Sequence, residues 1–356
     1  VYFGVVPVLV AYLPFYLVTG GDLPNSVACA IALLFFIAFS GALILKLYTR
    51  RYSRAPLAAL IIALFGYMIL SAIVYSLARM SMYNAPVCFA LASGIMGLYF
   101  LLSAFYSSNH KRRVLFIVLG SFFVALIAGC RPQLLTILLP AVYIVFKMIK
   151  RESGQKRVHY ALSFALPLLA VAAGIMAYNG VRFGSVFDFG ASYNLTGNDM
   201  TLRGHNVVRM AEGVFYYLLG LPHITLQYPI LQPYDISSVY MGMTVAEPFV
   251  CGLFAMAPCG LLPVVYALFG DKWKPERILI AGGLGVIVFV AAFDTDAAGI
   301  LGRYLQDFGF IIGLAFVVSM LDLASRGLIQ SAMKRGMIML LMASSYIMWI
   351  LVRLSL

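Results

Sequence analysis

The feature that most constrains this chain is the recurrence, from its first residues to its last, of uninterrupted apolar runs roughly 16 to 22 residues long. A run of that length makes a helix about 30 Å long at 1.5 Å per residue, the thickness of the hydrocarbon layer of a bilayer. With 63% of its 356 residues hydrophobic and 11% charged, the chain lacks the polar side chains that would cover a water-soluble surface. It reads as an all-α, polytopic integral membrane protein with no soluble domain.

Charge supplies the orientation. The net charge of +12 comes from short basic clusters beside the apolar runs, which is the positive-inside pattern. The partner implied is a membrane and not nucleic acid. Residues 1–18, 26–46, 56–78, 86–106, 114–129, 133–146, 159–178, 248–269, 278–293, 304–321 and 337–352 then give about eleven transmembrane or re-entrant helices. Residues 1–178 are expected as membrane helices with short outer hinges, 179–247 as one large outer loop, and 248–356 as further membrane helices. The protein is placed as a multi-pass component of a plasma (inner) membrane with the 179–247 loop outside. The runs 114–129 and 133–146 fall short of ~30 Å and meet at Cys130-Arg131-Pro132, so Arg131 is expected below the outer surface. Val1 lies within an apolar run, without an initiator Met, and the natural N-terminus is expected upstream of it.

Cys29, Cys88, Cys130, Cys251 and Cys259 lie in or beside apolar runs without paired ligand spacing. They read as small buried hydrophobes, neither a zinc site nor a disulfide framework. The cations outside the inner clusters are Arg79, Arg131, Arg182, Arg203, Arg209, Arg303 and Arg353, and all are arginine. The planar guanidinium binds phosphate or carboxylate at two points and keeps its charge, so this set points to anion recognition. The competing reading is pairing with outer acids or snorkelling to headgroups.

Between the clusters the spans carry almost no charge, which favours a site at the outer interface over a polar path through the membrane. Asp294-Thr295-Asp296 has the form of a metal-binding acid pair, but on this map it faces away from cytosolic nucleotide sugars, and we assign it no metal. Asn194-Leu195-Thr196 fits a glycosylation acceptor. Arg303 and Asp307 are four apart at the start of a descending span and share a helix face. Arg182-Phe183-Gly184-Ser185 sets a cation beside a turn whose free backbone N–H groups would suit phosphate oxygens.

Four segments carry a resemblance: the opening YFGVVPVLVAYLPFYLVTGGDLPN, the CRPQLL hinge, YNGVRFGSVFDFGASY from Tyr178, and GRYLQDFGF from Gly302. In this order they resemble bacterial polytopic glycosyltransferases of the GT-C superfamily, which includes aminoarabinose transferases and protein O-mannosyltransferases. The resemblance implies a GT-C-like fold. It also implies transfer of a sugar from a polyprenyl-phosphate carrier to a lipid, glycan or protein acceptor on the outer face of the cell envelope. It places Arg131, Arg182 and Arg303 at the carrier phosphate. Asn179, Ser185, Asp188, Tyr193, Tyr304, Asp307, Arg79 and Tyr83 become substrate-positioning groups. The family's catalytic Asp lies in the first outer loop and is expected upstream of Val1. Asp22, Asp188 and Asp307 do not match it by position, and Asn84 stands where relatives often carry an acid. No cofactor is implied with certainty, and a divalent cation is left open. The readings from other classes are a lipid or sugar carrier or flippase, and a non-catalytic membrane assembly partner.

Overall fold

The computed structural model describes residues 4–190, 204–234, 249–271 and 273–356. Along the chain the helices are α1 (Val5–Thr19), α2 (Asn25–Arg51), α3 (Leu57–Leu70), α4 (Val74–Ala78), α5 (Ala85–Tyr106), α6 (His110–Gly129), α7 (Pro132–Lys150) and α8 (Gln155–Phe183). After them come α9 (Val207–Leu219), a two-stranded hairpin of β1 (His223–Ile224) and β2 (Leu231–Gln232), α10 (Leu253–Met256) and α11 (Pro258–Phe269). The chain closes with α12 (Pro275–Ala298), α13 (Gly302–Ser325) and α14 (Ala332–Ser355). By length and composition, α2, α5, α6, α7, α8, α12, α13 and α14 can each cross a membrane, and α1, α3 and α11 are shorter apolar helices. This is the pattern of a multi-pass membrane protein.

Helix ends follow local chemistry. The side chains of Asn109, Asn206 and Ser331 cap α6, α9 and α14 by accepting from first-turn amides, which satisfies donors that a helix start leaves unpaired. Gly20 and Gly184 close α1 and α8 in the left-handed conformation, at φ 69° and 77°, where glycine is favoured.

Four expected spans differ from the observed ones. The runs 114–129 and 133–146 are parts of longer helices, α6 with 20 residues and α7 with 19. Counting apolar residues omitted the charged first turn of α6, His110 to Arg113, and the charged last turn of α7 with Lys147 and Lys150. The expected span 56–78 is instead α3 and α4, separated at Ser71–Ile73, where Ala72 takes φ 54°. The expected span 248–269 is interrupted at Ala257, because Pro258 drives the residue before it out of the helical region.

The chain divides into two compact units. The first comprises Val1–Leu43 and Met80–Thr196, and the second Ile44–Arg79 and Gly197–Leu356. In the first unit α5 is the central helix, packed by α1, α6 and α7. Its small residues let neighbours approach: a Cβ on Gly97 would stand 2.9 Å from the carbonyl oxygen of Gly120 on α6. In the second unit α13 plays that part, packed by α3, α11 and α12. Gly309 and Gly313 face α3, and a Cβ on Gly309 would fall 2.6 Å from the Leu70 carbonyl oxygen.

Candidate functional site

In the second unit, the site is built around the turn that joins α12 to α13. Tyr217 on α9 is fully buried, with its ring edge-on to Phe249 and Phe308 at 5.6 Å. Its hydroxyl donates to the Gly299 carbonyl at 3.0 Å and accepts the Leu301 N–H at 2.9 Å, so it clamps the turn that leads into Arg303. One helical turn earlier on α9, Gly213 lies against Thr295 so closely that a Cβ there would meet Thr295 Oγ1 at 1.9 Å. These two contacts seat α9 on the last turn of α12.

A charged lock holds the start of α9. Asp296 accepts from His205 Nδ1 at 2.6 Å, from the Asn206 backbone N–H at 3.1 Å and from the Arg209 guanidinium. Its carboxylate is therefore a structural acceptor. Asp294 lies two residues away on the same helix, and side chains two apart diverge by about 200° around the axis. The two acids of the Asp294-Thr295-Asp296 motif thus cannot close on one ion. Among the described residues no group of three His, Cys, Asp or Glu side chains is placed to hold a metal.

Asp294 and Asp307 are both buried, as are Tyr304 and Gln306. Burial above all, and then the charges of Asp294, Tyr304 and Asp307 nearby, push the Tyr217 phenol well above its ordinary pKa. These groups therefore stand together in a poorly solvated setting. Arg303 is half-buried, with its guanidinium 5.2 Å from the Tyr304 ring centre. Gln306 accepts from Ser76 Oγ on α4 at 2.8 Å and donates to the Arg303 carbonyl at 3.3 Å. Arg79, exposed, directly follows α4. The structure thus brings Arg303, Tyr304, Asp307 and the Arg79 segment to one end of the second unit.

In the first unit the hinge residue Arg131 is half-buried, with an extended backbone at φ −148°. It follows Gly129 and Cys130, whose carbonyls lie so near Gly4 that a Cβ there would meet them at 2.5 and 2.7 Å. Gly129 also faces Ile175 of α8. Arg182 lies about 10 Å further along that helix at 1.5 Å per residue. Arg131 and Arg182 therefore share one end of this unit, and Arg303 belongs to the other unit.

Around Arg182, part of the turn expected to face an anion is engaged in local hydrogen bonds. Arg182 is exposed, bonded to the Tyr178 hydroxyl and stacked 4.9 Å from the Phe183 ring. The Gly184 N–H closes the helix on the Gly180 carbonyl at 3.1 Å, the Asp188 N–H donates to the Ser185 carbonyl, and Asp188 Oδ1 accepts the Gly190 N–H at 2.7 Å. Those amides are engaged in the turn. A helix C-terminus is moreover the negative end of the helix dipole, which an arginine complements. Asn179 is buried and donates to the Val186 carbonyl at 3.3 Å. Tyr83 is half-buried in the turn before α5, and Asn84 beside it is buried. Tyr193 and the Asn194-Leu195-Thr196 triplet lie outside the described residues.

No family model, curated protein or solved structure matches the chain. Sequence reasoning missed Tyr217 and the Asp296 lock. Tyr217 sits within Val214–Leu219, an apolar stretch in which nothing marks one tyrosine as buried. Asn206 three residues before Arg209 is a legible helix start, and it would have placed His205 and Arg209 beside one helix terminus.

Proposed function

We infer that the chain is a membrane glycosyltransferase, moving a sugar from a polyprenyl-phosphate carrier to an acceptor on the outer face of a bacterial inner membrane. The observation that carries the reading is the polar end of the second unit, where half-buried Arg303 stands beside Tyr304, with Asp307, Asp294 and Tyr217 buried close by. All buried acids among the described residues, Glu276, Asp294, Asp296, Asp307 and Asp322, lie near the ends of their helices. An ion-coupled carrier needs ionisable groups near the midplane, and chemistry at the interface needs them at helix ends.

In the reaction, the bond from the anomeric carbon to the carrier phosphate breaks as a bond to the acceptor oxygen forms. Polyprenyl phosphate departs with the electron pair, and the acceptor proton passes to a carboxylate. A guanidinium held in poorly solvated surroundings stabilises the departing phosphate more than it would in water. Arg303 fills that role, with Arg131 and Arg182 as further contacts to the carrier.

The test is transfer from a polyprenyl-phosphate sugar by the whole protein in vesicles. Arg303→Ala is expected to lower turnover 100-fold or more, the range for loss of one transition-state donor, with smaller losses for Arg131→Ala and Arg182→Ala. Unchanged transfer in all three variants sinks the assignment. Accumulation of the sugar inside vesicles without a new glycosidic product would establish the carrier reading instead.

A further inference from the structure

We propose that the β1–β2 hairpin, residues 221–232, is a membrane anchor whose apolar tip lies in the headgroup region of the bilayer. The inference is independent of the glycosyltransferase reading and requires only that α14 crosses the membrane.

The hairpin is short, pairing His223 with Gln232 and Ile224 with Leu231, and residues 221–232 contain no Asp, Glu, Lys or Arg. Exposed strands facing water are normally protected by charge, lysine above all. Here the exposed groups are mostly apolar, with the uncharged Gln227 and with His223 among them: Leu226 is fully exposed, Leu221 is 75% exposed, Tyr228 78% and Ile224 60%. Large apolar side chains concentrated in so short an exposed segment mark a place that something covers.

Two hydrogen bonds fix the depth of the hairpin. Tyr228 Oη donates to the Leu354 carbonyl at 3.0 Å, and the Leu231 N–H donates to Ser355 Oγ at 3.3 Å. Leu354 and Ser355 form the last turn of α14, a 24-residue helix. Such a helix is about 36 Å long, a little more than the ~30 Å of hydrocarbon, so its last turn reaches the headgroups. The exposed side chains Ile347, Ile350 and Leu354 recur at helical spacing on one face of α14, the face a lipid-crossing helix presents to acyl chains. Tyr228 meets the helix at Leu354, at the end of that apolar face, and Leu226 lies two residues before it in the hairpin. Tyrosine at this level is the residue type that membrane interfaces collect. The occupant is therefore the bilayer itself.

The described cysteines are all buried, so Leu226→Cys in the otherwise unaltered chain gives one reactive thiol for an environment-sensitive fluorophore. The labelled protein is placed in phosphatidylcholine–phosphatidylglycerol vesicles, with Gln330→Cys, exposed in the turn before α14, as the aqueous reference. At Leu226 the emission is expected to shift to the blue, with strong quenching by lipids bearing a nitroxide near the top of the acyl chain. Quenching by aqueous iodide is expected to be at least fivefold weaker than at Gln330. The same pattern at Ile224→Cys guards against an effect peculiar to one position. Iodide quenching equal to that at Gln330 would place the hairpin in water and overturn the proposal. Protection from both quenchers would overturn it equally, by showing that a protein surface covers the hairpin.

Discussion

Asp296 receives three donors of very different exposure. The His205 side chain is 92% exposed, whereas that of Arg209 is 11% exposed and that of Asp296 5%. The exposed histidine pair is screened by water and contributes little, on the order of 0.2–1 kcal/mol. Removing the buried carboxylate takes from the Arg209 guanidinium its charged partner and leaves it the Gly204 carbonyl, and breaking such a buried pair costs up to about 3–5 kcal/mol. Asp296→Ala is therefore expected to lower the unfolding midpoint in detergent by several degrees, and His205→Ala by about one degree or less. Equal losses would show that the exposed pair carries the lock. The sequence displayed Asp294-Thr295-Asp296 as a motif and concealed which acid did what, because the distinction depends on helix phase and on partners some ninety positions upstream. Arg182 shows the reverse case. Its position beside a Gly-Ser turn was legible, but that the Gly184 amide closes α8 could be known only from the backbone path.

At the scale of elements, the contact of α3 with α13 rests on glycines that differ in what they face. A Cβ on Gly66 would meet the Phe316 ring at 2.2 Å, whereas one on Gly309 would meet the Leu70 backbone carbonyl at 2.6 Å. A ring can be removed and a backbone carbonyl cannot. Gly66→Ala is therefore expected to destabilise by about 1–3 kcal/mol, the usual cost of overpacking, and to be partly rescued by Phe316→Leu. Gly309→Ala is expected to cost at least as much and to gain nothing from Phe316→Leu, as read from thermal unfolding of the single and double variants. Rescue of both glycine variants, or of neither, would refute this account of the interface. Element type was largely legible, because long apolar runs permit little besides helices in a bilayer. Proline alone does not mark breaks: the expected span 248–269 ran through Pro258, where the helix breaks, whereas Pro167 lies inside the unbroken α8. The break at Ser71–Ile73 carries no proline or glycine and arises where Gly309 brings α13 against the end of α3, a tertiary cause that local sequence does not encode.

For the molecule as a whole, the second unit separates its polar contacts into two ends. At one end Arg51 pairs with Glu276, and Asp322 binds Lys274, Arg326 and the Tyr266 hydroxyl. The other end holds the Asp296 lock, the Tyr217 clamp and the hairpin joined to Leu354. Helix α12 links them: the stretch from Glu276 to Asp296 is about 30 Å long at 1.5 Å per residue, the thickness of the hydrocarbon layer. In the first unit α8 likewise runs from Tyr160, which meets Arg113 at 3.1 Å, to Asn179 and Arg182. On the positive-inside expectation the Glu276 and Tyr160 ends would face the cytoplasm. Thiols test that assignment directly. An impermeant maleimide added to intact cells is expected to label Ser185→Cys and His205→Cys at least tenfold more than Lys156→Cys and Gln330→Cys, which should react fully after permeabilisation. A reversed pattern would turn the protein over and put Arg303 on the cytoplasmic face, where a lipid-linked donor presented outside could not reach it. Labelling of all four in intact cells would break the link between the two ends and the two sides of the membrane, and with it the argument that buried acids at helix ends serve chemistry at an interface.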